Sequence, residues 1–206
     1  MTKSFDRKVV MAHIPAEQRK DEFVEAAVAV IAEHGVRGAT TRRIAEAANA
    51  PLASLHYCFA TKEELFFEAF NRVGASLVPE ESDPADKVTA GSFLRSAIDW
   101  MLANRDYALA QVDLYLWILR TAPAHAAMPY ETIANALSLQ LAHSYSDTPK
   151  EVLADAVWLA ISAVDGLVLQ WFYRRDDEEI RRLAETQAEL LDRLMEKRRP
   201  RRASTS

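Results

Sequence analysis

Basic, aromatic and hydroxyl side chains cluster between residues 40 and 62, where their types and spacing suit contact with a nucleic acid. Arg42 and Arg43 can bind phosphate oxygens or guanine edges, and His56 and Tyr57 can donate hydrogen bonds to phosphate. Threonines and a lysine stand at predicted helix starts, whose free N–H groups attract phosphate. The candidate DNA contacts are Thr40, Thr41, Arg42, Arg43, Leu52, Ala53, Ser54, His56, Tyr57, Thr61 and Lys62.

Short helical patterns must position these side chains. The pattern predicts a helix over Thr41–Ala48 with Thr40 as its N-cap, and a second, two-turn helix over Leu52–Phe59 with Pro51 at its first position. Asn49 tolerates the left-handed backbone that a sharp turn between them needs. A capping box at residues 61–64 opens a further helix, which runs to about residue 78. The residues spaced to form a small core are Ile44, Ala45, Ala48, Leu55 and Phe59. Two helices joined in this way are typical of a helix-turn-helix, which inserts its second helix into the major groove.

This stretch resembles the N-terminal DNA-binding domain of the TetR family of bacterial transcriptional regulators, over about residues 18–70. The residues that match the family's pattern are Thr40, Ile44, Ala45, Ala48, Leu55, Phe59, Lys62, Glu63 and Leu65. Asn49 replaces the family's usual turn glycine, and His56 stands where the family has a tyrosine. The resemblance therefore leaves open whether His56, Tyr57 or both contact phosphate. Cys58 replaces another aromatic residue or a histidine; we interpret it as a small packed residue, with a redox sensor as the alternative.

Composition bounds the rest. Half of the 206 residues are hydrophobic, there are only five glycines, and a single cysteine excludes an intrachain disulfide. The net charge of −5 arises beyond residue 78, because residues 1–78 hold ten basic and ten acidic side chains. We find no catalytic, metal-binding or nucleotide-binding motif, so the sequence predicts neither an enzyme nor a cofactor. We also find no signal peptide and no spanning segment of about 18 apolar residues, which predicts a soluble, cytoplasmic protein without membrane contact.

The helical patterns predict an all-α fold with an N-terminal three-helix helix-turn-helix domain and a larger C-terminal helical domain. The resemblance implies that the larger domain serves ligand binding and dimerisation. A helix from residue 16 ends at Gly35, as helices often do at glycine. Beyond the polar break at 79–84 the predicted helices are 84–104, 107–121, 129–145, 150–173, with a capping box at 148–151, and 178–198. The predicted units are a flexible arm at 1–15, a DNA-binding domain at 16–78, an effector-binding and dimerisation domain at 79–198, and a disordered basic tail at 199–206.

The helix over 150–173 is apolar almost all round, so it must be covered on two sides. The resemblance implies that this helix and the one at 178–198 pair with those of a second copy in a four-helix bundle. A symmetric homodimer suits a palindromic operator in double-stranded DNA.

Large side chains that carry a polar atom or a soft surface recur in the C-terminal half, and such sets line either cavities or ordinary cores. The candidate ligand-binding residues are Trp100, Tyr107, Tyr115, Trp117, His125, Met128, His143, Trp158 and Asp165. Asp165 needs a partner, which could be structural or a cationic ligand atom. The family resemblance implies a small effector here. The expected function is a repressor released by a small hydrophobic or amphipathic effector, with an effector-independent regulator or activator as the alternative.

Overall fold

A computed structural model describes residues 15–77, 87–123 and 128–197, including side chains except at residues 128 and 129. The described residues form helices and no strand, which confirms the all-α class. The helices are α1 Ala16–Gly38, α2 Thr41–Ala47, α3 Leu52–Cys58, α4 Lys62–Ser76, α5 Ala90–Ala103, α6 Arg105–Thr121, α7 Met128–Ser144, α8 Lys150–Arg174 and α9 Asp177–Lys197. Residues 1–14 of the predicted arm at 1–15, the polar break at 79–84 and the tail at 199–206 lie outside the described residues.

Helix α1 contains the predicted interruption at Gly35. This residue has φ 70° and ψ 164°, which is not helical, and a further helical turn then leads to Gly38. The positive φ favours glycine because it has no Cβ. The last turn of α1 therefore points in a new direction, and it feeds directly into the N-cap of α2.

One predicted helix start and one predicted helix cap are wrong. Residues 87–89 are not helical, and α5 begins at Ala90, because the hydroxyls of Thr89 and Ser92 each accept a backbone N–H from the other residue at 2.9 Å. This capping box was not predicted from the sequence. At α8 the expected capping box is absent: Pro149 is the N-cap without a side-chain cap, and the Thr148 hydroxyl is buried with no partner.

Helix α6 joins two hydrophobic cores. The first core is formed by α1 to α4 together with Ala110, Leu114 and Ile118 of α6, and the second by α5 and α7 to α9 with Ala108 of α6. The N-terminal half is therefore packed against a helix that belongs, in sequence, to the other half.

Helices α5 and α9 approach each other closely. A Cβ at Gly91 would overlap the Asp192 carboxylate and the Ala188 carbonyl oxygen. Arg95 adds a two-pronged bond to Glu185, at 2.6 and 2.8 Å. These contacts fix one side of α9 within its own chain.

Helix α8 is long and apolar enough to cross a membrane, with a mean hydropathy of 1.9 over an 18-residue window. Every 18-residue window of α8 contains Asp165, so none of them is the uncharged apolar segment that the sequence analysis looked for. Only 44% of the window is buried within the chain, where α8 packs against α5, α7 and α9.

Candidate nucleic-acid interface and ligand cavity

Helices α2 and α3 pack through the small core that the sequence predicts. Ile44, Ala45, Leu55 and Phe59 are at most 2% exposed, and Ala48 is half-buried against them. Because these side chains hold the inner face of α3, its other face is turned away from the protein.

The turn between α2 and α3 depends on Asn49, which has φ 50° as predicted. Its N–H donates to the Glu46 carbonyl at 3.0 Å, and the Ala50 N–H donates to the Ala45 carbonyl at 2.9 Å. These two bonds form a Schellman motif that satisfies the last carbonyls of α2. Pro51 is the N-cap of α3 rather than its first helical residue, so the predicted position is off by one.

Five of the eleven predicted DNA contacts belong to α3. Tyr57 is 85% exposed and Leu52 is 39% exposed, Ala53 and His56 are also exposed, and Ser54 is half-buried. No described part of the chain packs on this outer face of α3 over about two turns, as a helix that enters a groove requires.

The two arginines of α2 are held by their own chain. Arg42 Nε donates to Glu46 Oε1 at 2.9 Å, and Arg43 Nη1 donates to the Gly38 carbonyl at 2.9 Å. Both contacts lie at the surface, where such pairs are weak, so phosphate could replace them.

The start of α4 forms the capping box that the sequence predicts, in a shifted form. Thr61 Oγ1 accepts from the Glu64 N–H at 3.1 Å, while Glu64 Oε2 accepts from Ala60 N–H at 2.8 Å rather than from Thr61. Lys62 is half-buried, with its ammonium 5.0 Å from the Phe66 ring centre. That contact orients the lysine beside the helix start.

Cys58 of α3 is buried in the first hydrophobic core. Burial raises the pKa of its thiol above the usual value, so little thiolate forms at neutral pH. This favours the packed residue over the redox sensor.

A cavity of about 250 Å³ lies between α5, α6, α7 and α8. Its lining is mostly apolar and consists of Met101, Gln111, Val112, Tyr115, Leu116, Tyr130, Asp165, Val168 and Leu169. A wider hollow of about 600 Å³ shares Tyr115, Tyr130 and Asp165 with it and adds Pro123, Glu131, Trp158, Ile161 and Ser162. The two hollows meet at the shared residues.

Tyr130 and Asp165 form a hydrogen-bonded pair in the cavity wall. Tyr130 Oη donates to Asp165 Oδ2 at 3.0 Å, and burial together with this neighbouring carboxylate raises the pKa of Tyr130. Burial raises the pKa of Asp165, and the bond from Tyr130 opposes this rise. The amide oxygen Oε1 of Gln111 is buried without a hydrogen-bond partner.

The predicted ligand residues divide into separate groups. Tyr115, Trp158 and Asp165 line the hollows. Trp100 packs edge-to-face on Tyr107, at 5.4 Å between ring centres, and the Tyr107 hydroxyl contacts Glu25 of α1.

Trp117 and His143 also lie away from the cavity. Trp117 packs on Phe66 and Phe67 of α4, and His143 is exposed on α7. His125 and the side chain of Met128 lie outside the described part of the chain. The assignments of Trp100, Tyr107, Trp117 and His143 need correction, because tertiary packing places the three aromatic side chains between the two halves and leaves the histidine at the surface.

Gln111 and Tyr130 line the cavity but were not among the predicted ligand-binding residues. A glutamine within a helix resembles a surface residue in sequence, and Tyr130 did not differ from the other aromatic residues. The one available signal was spacing, because residues 111 and 115 fall on the same face of a helix.

A carboxylate of α6 reaches the interruption in α1. Asp113 Oδ2 accepts from the Val36 N–H at 2.6 Å, and a Cβ at Gly35 would lie 3.2 Å from the same oxygen. Asp113 directly follows the cavity residues Gln111 and Val112 in sequence. One helix therefore lines the cavity and bonds to the turn that leads into α2.

Comparison with known proteins identifies the N-terminal half. Residues 23–69 match the family model described as bacterial regulatory proteins, tetR family. Residues 23–69 therefore form a TetR-family N-terminal domain. TetR-family proteins are transcriptional regulators rather than enzymes, which agrees with an outward-facing α3.

Relatives within the TetR family cover most of the chain. The nicotine-responsive transcriptional repressor HdnoR of Paenarthrobacter nicotinovorans is 29% identical over 168 residues, which are 77% of this chain and 86% of HdnoR. The multidrug-binding protein EbrR, solved with imidazole, is 27% identical, with a TM-score of 0.61 over 91% of this chain and 98% of EbrR. A TetR-family member from Streptomyces coelicolor A3 is 26% identical, with a TM-score of 0.62 over 86% of this chain and 98% of that one. EbrR complexes with ethidium, proflavin and malachite green also match.

Within the described residues, no group of three or more histidine, cysteine or acidic side chains could hold a metal ion.

Proposed function

We propose that this chain is a TetR-family repressor that binds a palindromic operator as a homodimer and leaves it when a small hydrophobic or amphipathic molecule occupies the cavity. One observation carries the proposal: a single chain combines an exposed α3 with a cavity that holds a partly buried carboxylate. HdnoR and EbrR, whose names record responses to or binding of small molecules, support the ligand half.

The exposed faces of α8 and α9 support the dimer. Leu159, Gly166 and Tyr173 follow each other at seven-residue intervals on α8, where Leu159 and Tyr173 are 48% and 89% exposed and a Cβ at Gly166 would meet open space. On α9, Leu190 is 60% exposed and Leu183 precedes it by seven residues. Such repeats form a seam along each helix, which a second copy would cover in a four-helix bundle.

Helix α6 links the cavity to DNA binding in this proposal. A ligand that contacts Gln111 or Tyr115 favours a position of α6 different from the empty one, and Asp113 moves with the helix. The bond to Val36 then changes the direction of the turn that leads into α2 and α3. Two recognition helices would no longer meet their half-sites together, and the affinity for the operator would fall.

Selection from a random duplex library tests the DNA half. The expected result is enrichment of an inverted repeat whose half-sites are about 34 Å apart, or a multiple of that spacing. Nicotine and imidazole, taken from the relatives, would then be titrated against the protein on the enriched duplex, and dissociation would support the ligand half. A library that yields no enriched sequence would contradict the operator proposal itself.

The alternative is a regulator without an effector, or an activator. A filled C-terminal core would favour it, and the 250 Å³ cavity instead supports the ligand-responsive reading.

A further inference from the structure

We propose that the cavity selects a flat aromatic cation with at least one N–H group, paired with the Asp165 carboxylate and donating to Gln111 Oε1. The inference rests on the proposed ligand response and adds the chemical class of the ligand.

The charge of the lining points to a cation. Among the described residues of the two hollows, the ionisable acids are Asp165 and Glu131, and no lysine, arginine or histidine is present. A neutral ligand would leave Asp165 half-buried with Tyr130 as its donor and without a counter-charge. A cationic ligand would supply that charge where partial burial weakens screening by water.

Gln111 points to a donor on the ligand. Its side chain is 7% exposed, and its Oε1 atom is buried without a partner. An amide oxygen of this kind loses its hydrogen bond to water on folding, so a ligand N–H that reaches it restores the missing bond. A ligand that offers only acceptors would leave this oxygen unpaired.

The tyrosines point to a flat aromatic ligand. Tyr115 and Tyr130 stand edge-to-face, with ring centres 4.9 Å apart and planes at 65°. Both rings line both hollows. Aromatic faces attract cations as well as other rings, so the same walls favour a positively charged aromatic system.

Proflavin and acridine provide a matched pair of probes. They share a three-ring skeleton, but at neutral to slightly basic pH proflavin is protonated and carries amino N–H groups, whereas acridine is neutral and carries none. Their fluorescence would be titrated with the full-length protein in the absence of DNA, because both dyes also intercalate. We expect proflavin to bind the wild-type protein at least about tenfold more tightly than acridine.

Variants show which residues cause the difference in affinity between proflavin and acridine. D165N keeps the shape of the side chain and removes its charge, so it should weaken proflavin binding by about tenfold and leave acridine unchanged. Gln111→Leu should weaken proflavin binding several-fold and leave the affinity for acridine unchanged. D155N is the control, because Asp155 is an exposed carboxylate on α8 that lines neither hollow, and it should bind both dyes as the wild type does.

Each outcome decides the question. Equal affinity of the wild type for the two dyes, or unchanged proflavin binding by a folded D165N, overturns the cation assignment and leaves a ligand-responsive regulator standing. Failure of the wild type to bind either dye overturns the aromatic-cation assignment, and the operator titrations with nicotine and imidazole then decide the ligand response separately. If D165N does not fold, the ratio of the two wild-type affinities decides alone.

Discussion

At the scale of single residues, Lys62 is the side chain best placed to contact a phosphate group of DNA. Its ammonium lies 5.0 Å from the Phe66 ring centre, beside the free N–H groups that begin α4. We predict that Lys62→Ala weakens binding to every duplex alike and reduces the slope of log affinity against log salt by about one. Lys87→Ala is the matched control, because that lysine makes a similar contact to Tyr145 in the other half of the chain. An unchanged slope for Lys62→Ala would refute the phosphate assignment.

Side chains on the outer face of α3 should determine sequence preference instead. Leu52 and Ala53 are exposed and Ser54 is half-buried, with backbone that could approach base edges. Replacing Ser54 by Ala or Ala53 by Ser should change which duplexes a selection enriches, while the salt slope stays the same. Loss of affinity to the same extent on all sequences would contradict a role in reading bases.

At the scale of elements, the turn between α2 and α3 depends on one left-handed residue. Asn49 has φ 50°, a conformation that asparagine adopts more readily than alanine and that glycine adopts freely. We expect Asn49→Ala to lower the free energy of unfolding by about 1 kcal/mol and Asn49→Gly to stay close to the wild type. Urea unfolding at fixed protein concentration measures both, and equal stability of all three proteins would show that the turn is not strained.

The same element shows how far the sequence could predict the site. Thr40, Asn49 and Thr61 act over three or four residues, so local chemistry was enough to place α2, α3 and the start of α4. The cavity could not be predicted in this way, because helical spacing gives the face of a side chain but not the neighbouring helix. Trp117 therefore looked like a cavity residue, although it packs on α4, while Gln111 looked like a surface residue.

Helix α6 gives a second prediction at this scale. Asp113→Ala would leave the Val36 N–H without its acceptor and free the turn that leads into α2. We expect about tenfold weaker operator binding with proflavin affinity unchanged, because Asp113 does not line the cavity. Asp113→Asn retains an oxygen that can accept the bond and should restore most of the operator affinity. Equal effects of the two variants on DNA and dye would indicate general destabilisation.

At the scale of the whole molecule, operator binding should require two copies. Within one chain Leu159 is 48% exposed and Leu190 is 60% exposed. The double variant Leu159→Glu, Leu190→Glu would therefore not disturb the core of that chain. In the proposed four-helix bundle both carboxylates would be buried without partners, which is strongly unfavourable. We predict a folded monomer by sedimentation, with helical content unchanged and affinity for a two-half-site operator reduced at least about a hundredfold.

Leu139→Glu is the control that distinguishes loss of the proposed seam from the general effect of replacing an exposed leucine by glutamate. Leu139 is 75% exposed on α7, which is neither of the two proposed seam helices, so this variant should stay dimeric and bind the operator as the wild type does. Binding by the monomeric double variant to an isolated half-site should also survive, since each α3 is held by the core of its own chain. A double variant that remains dimeric would place the contact between copies elsewhere, and the spacing of the half-sites would then have to follow from that other contact.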